Sequence, residues 1–233
     1  MIDNDFIKEH TLMECLKVFK GAQSHNGKSR LECVTEEFEI LAKKFLYGGY
    51  IKVGDDYDIY INNVEFYYHE EDDKHNPNPD RITDPKVYHC NDQFPGRFLP
   101  PFPIMTLHSH WSGFDITFED PEGKYRASVL IREYSVFDHK TKNECHPQGG
   151  YVDWNTKAID KNDNKKGSFS VQDIQVNDTR SSYLQYYLNG FSMDGGNNRI
   201  EWIDEAKDGY GPVKALLRKN IDPKRLWAFK RMK

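Results

Sequence analysis

Residues 35–68 read TEEFEILAKKFLYGGYIKVGDDYDIYINNVEFYY, and this stretch decides the fold. Its first half has a helical period. Phe38, Leu41, Ala42, Phe45 and Leu46 recur at i, i+3, i+4, i+7 and i+8, a one-sided apolar stripe. Thr35 is the expected N-cap, with Glu36, Glu37 and Glu39 near the positive end of the helix dipole. Gly48 and Gly49 end the helix. The second half reads as strands: Tyr50 to Val53, Tyr57 to Ile61 and Val64 to Tyr68. Turns at Gly54-Asp55-Asp56 and Asn62-Asn63 separate them. An amphipathic helix feeding an antiparallel meander predicts an α+β fold.

Outward from this stretch the signals weaken. Upstream, residues 1–20 are weakly helical, with Phe6, Leu12, Leu16 and Phe19 near one face, and Gly21 to Arg30 reads as a loop. Downstream, residues 69–103 are acidic, then rich in Asn, Asp and Pro. A loop that long inside a compact domain is usually functional or disordered. Met105 to Trp111, Phe114 to Phe118 and Tyr125 to Val136 read as strands. Residues 138–170 form a polar surface insertion, Ser181 to Leu188 a short helix, and Leu226 to Phe229 a last strand. No repeat is visible. The expectation is a single domain over residues 1–233, with 1–34 as an N-terminal extension.

Composition bounds the function. At 233 residues the chain is long enough to bury a substantial core, and 30% charged against 37% hydrophobic residues points away from disorder. No apolar run approaches the roughly 20 residues that span a bilayer. The acidic, polar start from Met1 to His10 does not read as a signal peptide. Cys15, Cys33, Cys90 and Cys145 are few and widely spaced, which suits free thiols in a reducing, cytoplasmic setting. Net charge is −5, yet residues 214–233 hold eight basic side chains against one acid, Asp222. Such a tail can contact phosphates, or it can dock on the acidic remainder.

The chemistry is expected near residues 64–75. Strand side chains alternate, so Glu65 and Tyr67 share one face and Val64 and Phe66 the other. A carboxylate there lies either on a solvated face or in a pocket wall. A Tyr on the same face, an acidic turn and a His ten residues on are the makings of a cleft.

The order of these elements resembles the alkyladenine (3-methyladenine) DNA glycosylases. Leu41-Ala42-Lys43-Lys44-Phe45-Leu46-Tyr47-Gly48 matches that family's Leu-Ala-x-x-Leu-Leu helix. Glu65-Phe66-Tyr67 matches its Glu-Ala-Tyr, and Asp72, Asp73 and His75 its acidic turn and His. Asp115-Ile116-Thr117 stands where the family has Asn-Ile-Ser, and Ala127-Ser128-Val129-Leu130-Ile131-Arg132 is similar to its Ala-x-Val-Leu-Leu-Arg strand. Tyr183 to Leu188 is loosely similar to its Leu-x-x-Ala-Leu helix, and Lys224 to Phe229 to its Lys-Pro-Leu-Arg-Phe strand. The likeness spans most of residues 38–229.

The resemblance implies a curved antiparallel sheet with surrounding helices. It also implies a repair enzyme that flips a damaged purine out of double-stranded DNA into a pocket. Tyr67 and His75 would stack on the base. Glu65 would activate the water that attacks the sugar C1′, since an ordinary glutamate is ionised at neutral pH as a base must be. Arg132 would hold carboxylate and water. The reaction needs no metal or other cofactor and stops at an abasic site. Three positions depart from the family. Its DNA-wedging Tyr aligns with His108, or with His110 or Trp111 if the register slips by two. Another stacking Tyr falls near Met105, and its Asn is Asp115.

Two other readings compete. His108-Ser109-His110 places two imidazoles on one strand face, as in cupin metal sites, with Glu119 and His139 as further candidate ligands. A glycosylase-like fold that binds without chemistry is the other, with residues 69–80 and 138–170 as partner surfaces.

Overall fold

A computed structural model describes residues 2–73, 78–87, 89–93, 98–110, 113–144, 184–188, 191–192, 200–205, 209–218 and 224–232. The fold is α+β and dominated by antiparallel strands. Helices α1 (Phe6–Glu9), α2 (Leu12–Val18) and α3 (Arg30–Tyr47) precede the sheet. The strands are β1 (Gly49–Val53), β2 (Tyr57–Glu70), β3 (Thr106–His110), β4 (Gly113–Thr117), β5 (Tyr125–Asp138), β6 (Leu184–Tyr187), β7 (Phe191–Ser192), β8 (Ile200–Asp204), β9 (Val213–Leu216) and β10 (Ala228–Arg231). Their order is β7-β6-β3-β4-β5-β2-β1-β8, with β10 added against β2 and β9 against β10. A backbone bond from Trp202 N–H to the Leu188 carbonyl ties β8, at one end of this order, to the chain leaving β6 near the other. The sheet is therefore curved. Among the described residues no helix is long and apolar enough to cross a membrane.

Helix α3 buries the stripe that the sequence predicts: Phe38, Leu41, Ala42, Phe45 and Leu46 are all buried. It starts six residues earlier than expected, however. Ser29 is the N-cap, and it forms a capping box with Glu32. Thr35 lies inside the helix, where its hydroxyl donates to the Leu31 carbonyl and accepts from Trp227 Nε1. The Ser29-x-x-Glu32 signal was hidden at the end of a Gly/Ser/Asn/Lys-rich stretch that reads as loop.

The expected turn at Asn62-Asn63 is absent, and β2 runs unbroken through it. The core positions explain why both descriptions fit the sequence. Ile59 and Ile61 are buried, and so are Val64, Phe66 and Tyr68; the two series are out of phase by one residue. The facing strand makes the same change between Ile131 and Val136. Pairing is regular up to Ile61 opposite Tyr134 and regular again from Val64 opposite Ile131. The irregularity between them lets both strands swap their buried side while staying in register. Asn62 Nδ2 donates to Ser135 Oγ there, 2.9 Å away.

Two further expectations change. Ser181 to Leu188 does not contain a helix among its described residues: Leu184–Tyr187 is strand β6, paired with β3. Its Tyr-rich run suits a pleated sheet better than a helix. The helices do not surround the sheet either. Among the described residues the α-helices all come from the first 47 positions, with a short 3-10 turn at Asn91–Gln93 besides, and α3 is seated on one face. Of residues 138–170, those described make a hairpin end at β5, with Phe137 bridged to Glu144; 145–170 lie outside the described residues.

The two sheet faces differ in kind. The α3 side is aromatic: Phe66 stacks on Phe38 at 4.5 Å between centroids and meets Phe45, Phe118 and Phe229 edge-on. The opposite face carries buried polar and charged side chains, among them Glu65, His69, Thr106, His108, Asp115, Thr117 and Arg126.

Candidate functional site

Sheet register builds the polar face. Glu65 on β2 is opposite Leu130 on β5, Leu130 is opposite Asp115 on β4, and Asp115 is opposite His108 on β3. Directly paired residues share a face, so four strands present these side chains in one row. Tyr67 and Ser128 form the next row.

Three of the predicted site residues converge. The Tyr67 hydroxyl donates to Glu65 Oε1 at 2.6 Å. Arg132 Nε donates to Glu65 Oε2 at 3.0 Å, and its Nη2 lies 3.3 Å from the Tyr67 hydroxyl. Arg132 falls in the stretch of β5 where the register with β2 shifts, and from there it reaches Glu65. Glu65 is 3% exposed, while the Arg132 side chain keeps 29%. A nearly buried carboxylate is thus clamped at both oxygens beside side chains that reach solvent. Burial, and then the charge of Glu65, push the Tyr67 phenol well above its ordinary range, so it remains a donor. Burial disfavours the Arg132 cation, but its bond to Glu65 and the charge of that carboxylate outweigh this and raise it.

Asp115 and His108 are also in this layer. Ser128 Oγ donates to Asp115 Oδ2 at 3.1 Å. His108 is 2% exposed, and its ring packs on Phe102 at 4.6 Å, which in turn stacks on His89 at 4.0 Å. That burial corrects its expected role: His108 is a wall residue and projects no wedge. The side chain of His110, and all of Trp111 and His75, lie outside the described residues. Met105 is buried with a left-handed backbone, φ 65°, and packs in the core, away from any stacking role.

A second cluster covers the far end of the face. The Arg126 guanidinium is fully buried. Its Nε meets Glu71 at 2.6 Å, its Nη1 meets Glu119 at 2.9 Å, and its Nη2 donates to the Leu99 carbonyl. Glu119 also accepts from Phe102 N–H and lies 3.2 Å from His89 Nδ1. These contacts hold residues 98–105 down on the sheet. No sequence signal marked them: Glu119 lies seven residues from Arg126 across a turn, and the other partners are distant along the chain.

Metal ligation fits poorly. The four cupin-type candidates do not assemble. His139 is paired with the buried Asp58 at 2.7 Å, at the other end of β2, and Glu119 is taken by Arg126. Among the described residues His69, Glu71 and Asp92 have ligand-like spacing. Yet His69 Nδ1 accepts the Asp84 N–H, which leaves the proton on Nε2 and no lone pair for an ion. Glu71 and Asp92 are already engaged by Arg126 and Arg81.

The basic C-terminal segment docks at several points on the body. Arg218 pairs with Asp84 at 2.5 Å, Lys230 with Glu133 at 2.7 Å, and Arg225 donates to the Thr83 carbonyl. Comparison with protein-family models, with curated proteins and with solved structures gave no match.

Proposed function

We propose that this chain is an N-glycosylase that excises an alkylated or deaminated purine from double-stranded DNA, with the alkyladenine glycosylase fold. The observation that carries the reading is the Glu65–Tyr67–Arg132 cluster. The two carboxylate oxygens offer four lone-pair sites; Tyr67 takes one on Oε1, Arg132 Nε and Nη2 both lie on Oε2, and one site remains on Oε1. A water bonded there loses its proton to Glu65 as its oxygen attacks the sugar C1′. The glycosidic bond breaks, its electron pair leaves with the purine, and an abasic site remains. Arg132 holds the carboxylate in place through its guanidinium, and Tyr67 orients it. Neither step calls on a metal.

A non-catalytic relative is the second reading. Asp115 favours it, because a carboxylate replaces a neutral amide in the cleft and opposes the approach of phosphates.

Single-turnover excision decides between them. The substrates are duplexes carrying hypoxanthine, ethenoadenine or a 3-methylated purine, in EDTA. Activity that falls by about 100- to 10,000-fold in Glu65→Gln supports the enzyme. Folded wild-type protein that excises none of these lesions overturns it.

A further inference from the structure

Arg218 lies where β9 ends and is 2% exposed. Its guanidinium stacks against both the Tyr67 and Trp227 rings, each centroid 5.2 Å away. Nη1 is satisfied by Asp84 and the Phe66 carbonyl. Nε and Nη2, which form the side-on fork of a guanidinium, are buried and have no hydrogen-bond partner among the described residues. Arg225, whose carbonyl accepts the Arg218 N–H, sits over the same Trp227 ring at 4.3 Å. Its Nη2 goes to the Thr83 carbonyl, and its Nε and Nη1 are likewise buried without a partner.

Buried donors without an acceptor are costly, more so when charged, so four of them on two arginines that share the Trp227 ring call for an acceptor. Among the described residues Asp84 is the one carboxylate paired with this couple of arginines. Burial first, and also the like charge of Arg218, lower the Arg225 guanidinium from its ordinary value, while Asp84 acts the other way.

We infer that Arg218 and Arg225 together bind one phosphate group beside Tyr67. A carboxylate has two oxygens for four donor atoms, whereas a phosphate presents more and suits guanidinium forks. The site itself needs only this geometry. Its assignment to a DNA phosphodiester rests on the glycosylase reading, since Tyr67 links Arg218 to Glu65.

The test uses the full chain and inorganic phosphate. Arg218 is buried against Asp84, so the informative variants are Arg225→Gln and Arg225→Lys, with circular dichroism to confirm folding. In phosphate, matched in ionic strength by chloride, the wild type is expected to melt a few degrees higher, as mass action requires of a bound ligand. Arg225→Gln should lose most of that gain, and Arg225→Lys should keep part of it. No gain for the wild type beyond the chloride control, or an undiminished gain in Arg225→Gln, overturns the site. A second arm measures binding to a duplex with an abasic analogue across salt concentrations. Arg225→Gln should lower the slope of log affinity on log salt by about one. If phosphate protects and the duplex does not bind, the phosphate site stands and the glycosylase reading falls.

Discussion

The two faces of the sheet both bury side chains and are held in opposite ways. Against α3, the Phe66 ring packs on Phe38, Phe45, Phe118 and Phe229, contacts that fill space with little direction. On the other face Arg126 reaches Glu71, Glu119 and the Leu99 carbonyl through three separate nitrogens. The first face tolerates neighbours of similar volume. The second has one solution for each donor, and losing one partner strands another. A surface built that way specifies geometry, which is what a site requires.

Substitution separates the two kinds of cohesion. Phe66→Ala and Arg126→Ala should each cost about 3–5 kcal/mol in urea unfolding, the first from a cavity and the second from two stranded carboxylates. They should part company on conservative replacement. Phe66→Leu should recover much of the loss, because the apolar face asks mainly for volume, whereas Arg126→Lys should recover little, because one ammonium cannot serve three directed acceptors. Equal recovery would erase the contrast.

Smaller changes refine it. Arg132→Gln leaves Glu65 with Tyr67 alone and should cost about 1–3 kcal/mol, the range for hydrogen bonds to charged groups. Tyr67→Phe removes one donor and should cost about 1 kcal/mol in chemical denaturation. If excision is found, it should slow more in Arg132→Gln than in Tyr67→Phe. The reverse order would make Tyr67 the principal support of the carboxylate.

The weakest effect is alkaline and belongs to the apolar side. Burial pushes the Cys15 thiol up to about 11. A group raised on folding contributes fully below its unfolded value, and that contribution is lost as pH climbs toward the folded one. Stability should therefore drop by about 1 kcal/mol between pH 8 and 10 on account of this thiol. Cys15→Ala, though less stable throughout, should show a shallower decline over that interval. Parallel curves would mean that the thiol is not protected.

The sequence carried the apolar face well and the polar face in part. Periodicity exposes the α3 stripe and puts Glu65 and Tyr67 on one side, because both are local. Arg132 was legible through its strand motif. The swap of buried side at Asn62 was not, since Ile-Asn-Asn-Val looks the same as a turn until Tyr134 and Ile131 are placed opposite. Arg126, Asp84 and Arg218 were invisible for a related reason. Arg126 is 55 residues from Glu71, and Asp84 is 134 from Arg218, and nothing local marks a residue for such a partner. The β6 strand was read as a helix because its partner β3 lies far away in sequence.

The bond between Trp202 and Leu188 bears on how this protein behaves in a crowded solution. A flat sheet ends in two rows of unpaired amides, each a template for a second chain. Drawing β8 toward the strand that leaves β6 turns one of those rows inward. Self-association through strand addition is thereby discouraged at that border. Loosening the closure, for instance by truncating Trp202, would be expected to reveal itself first as a tendency to aggregate on heating.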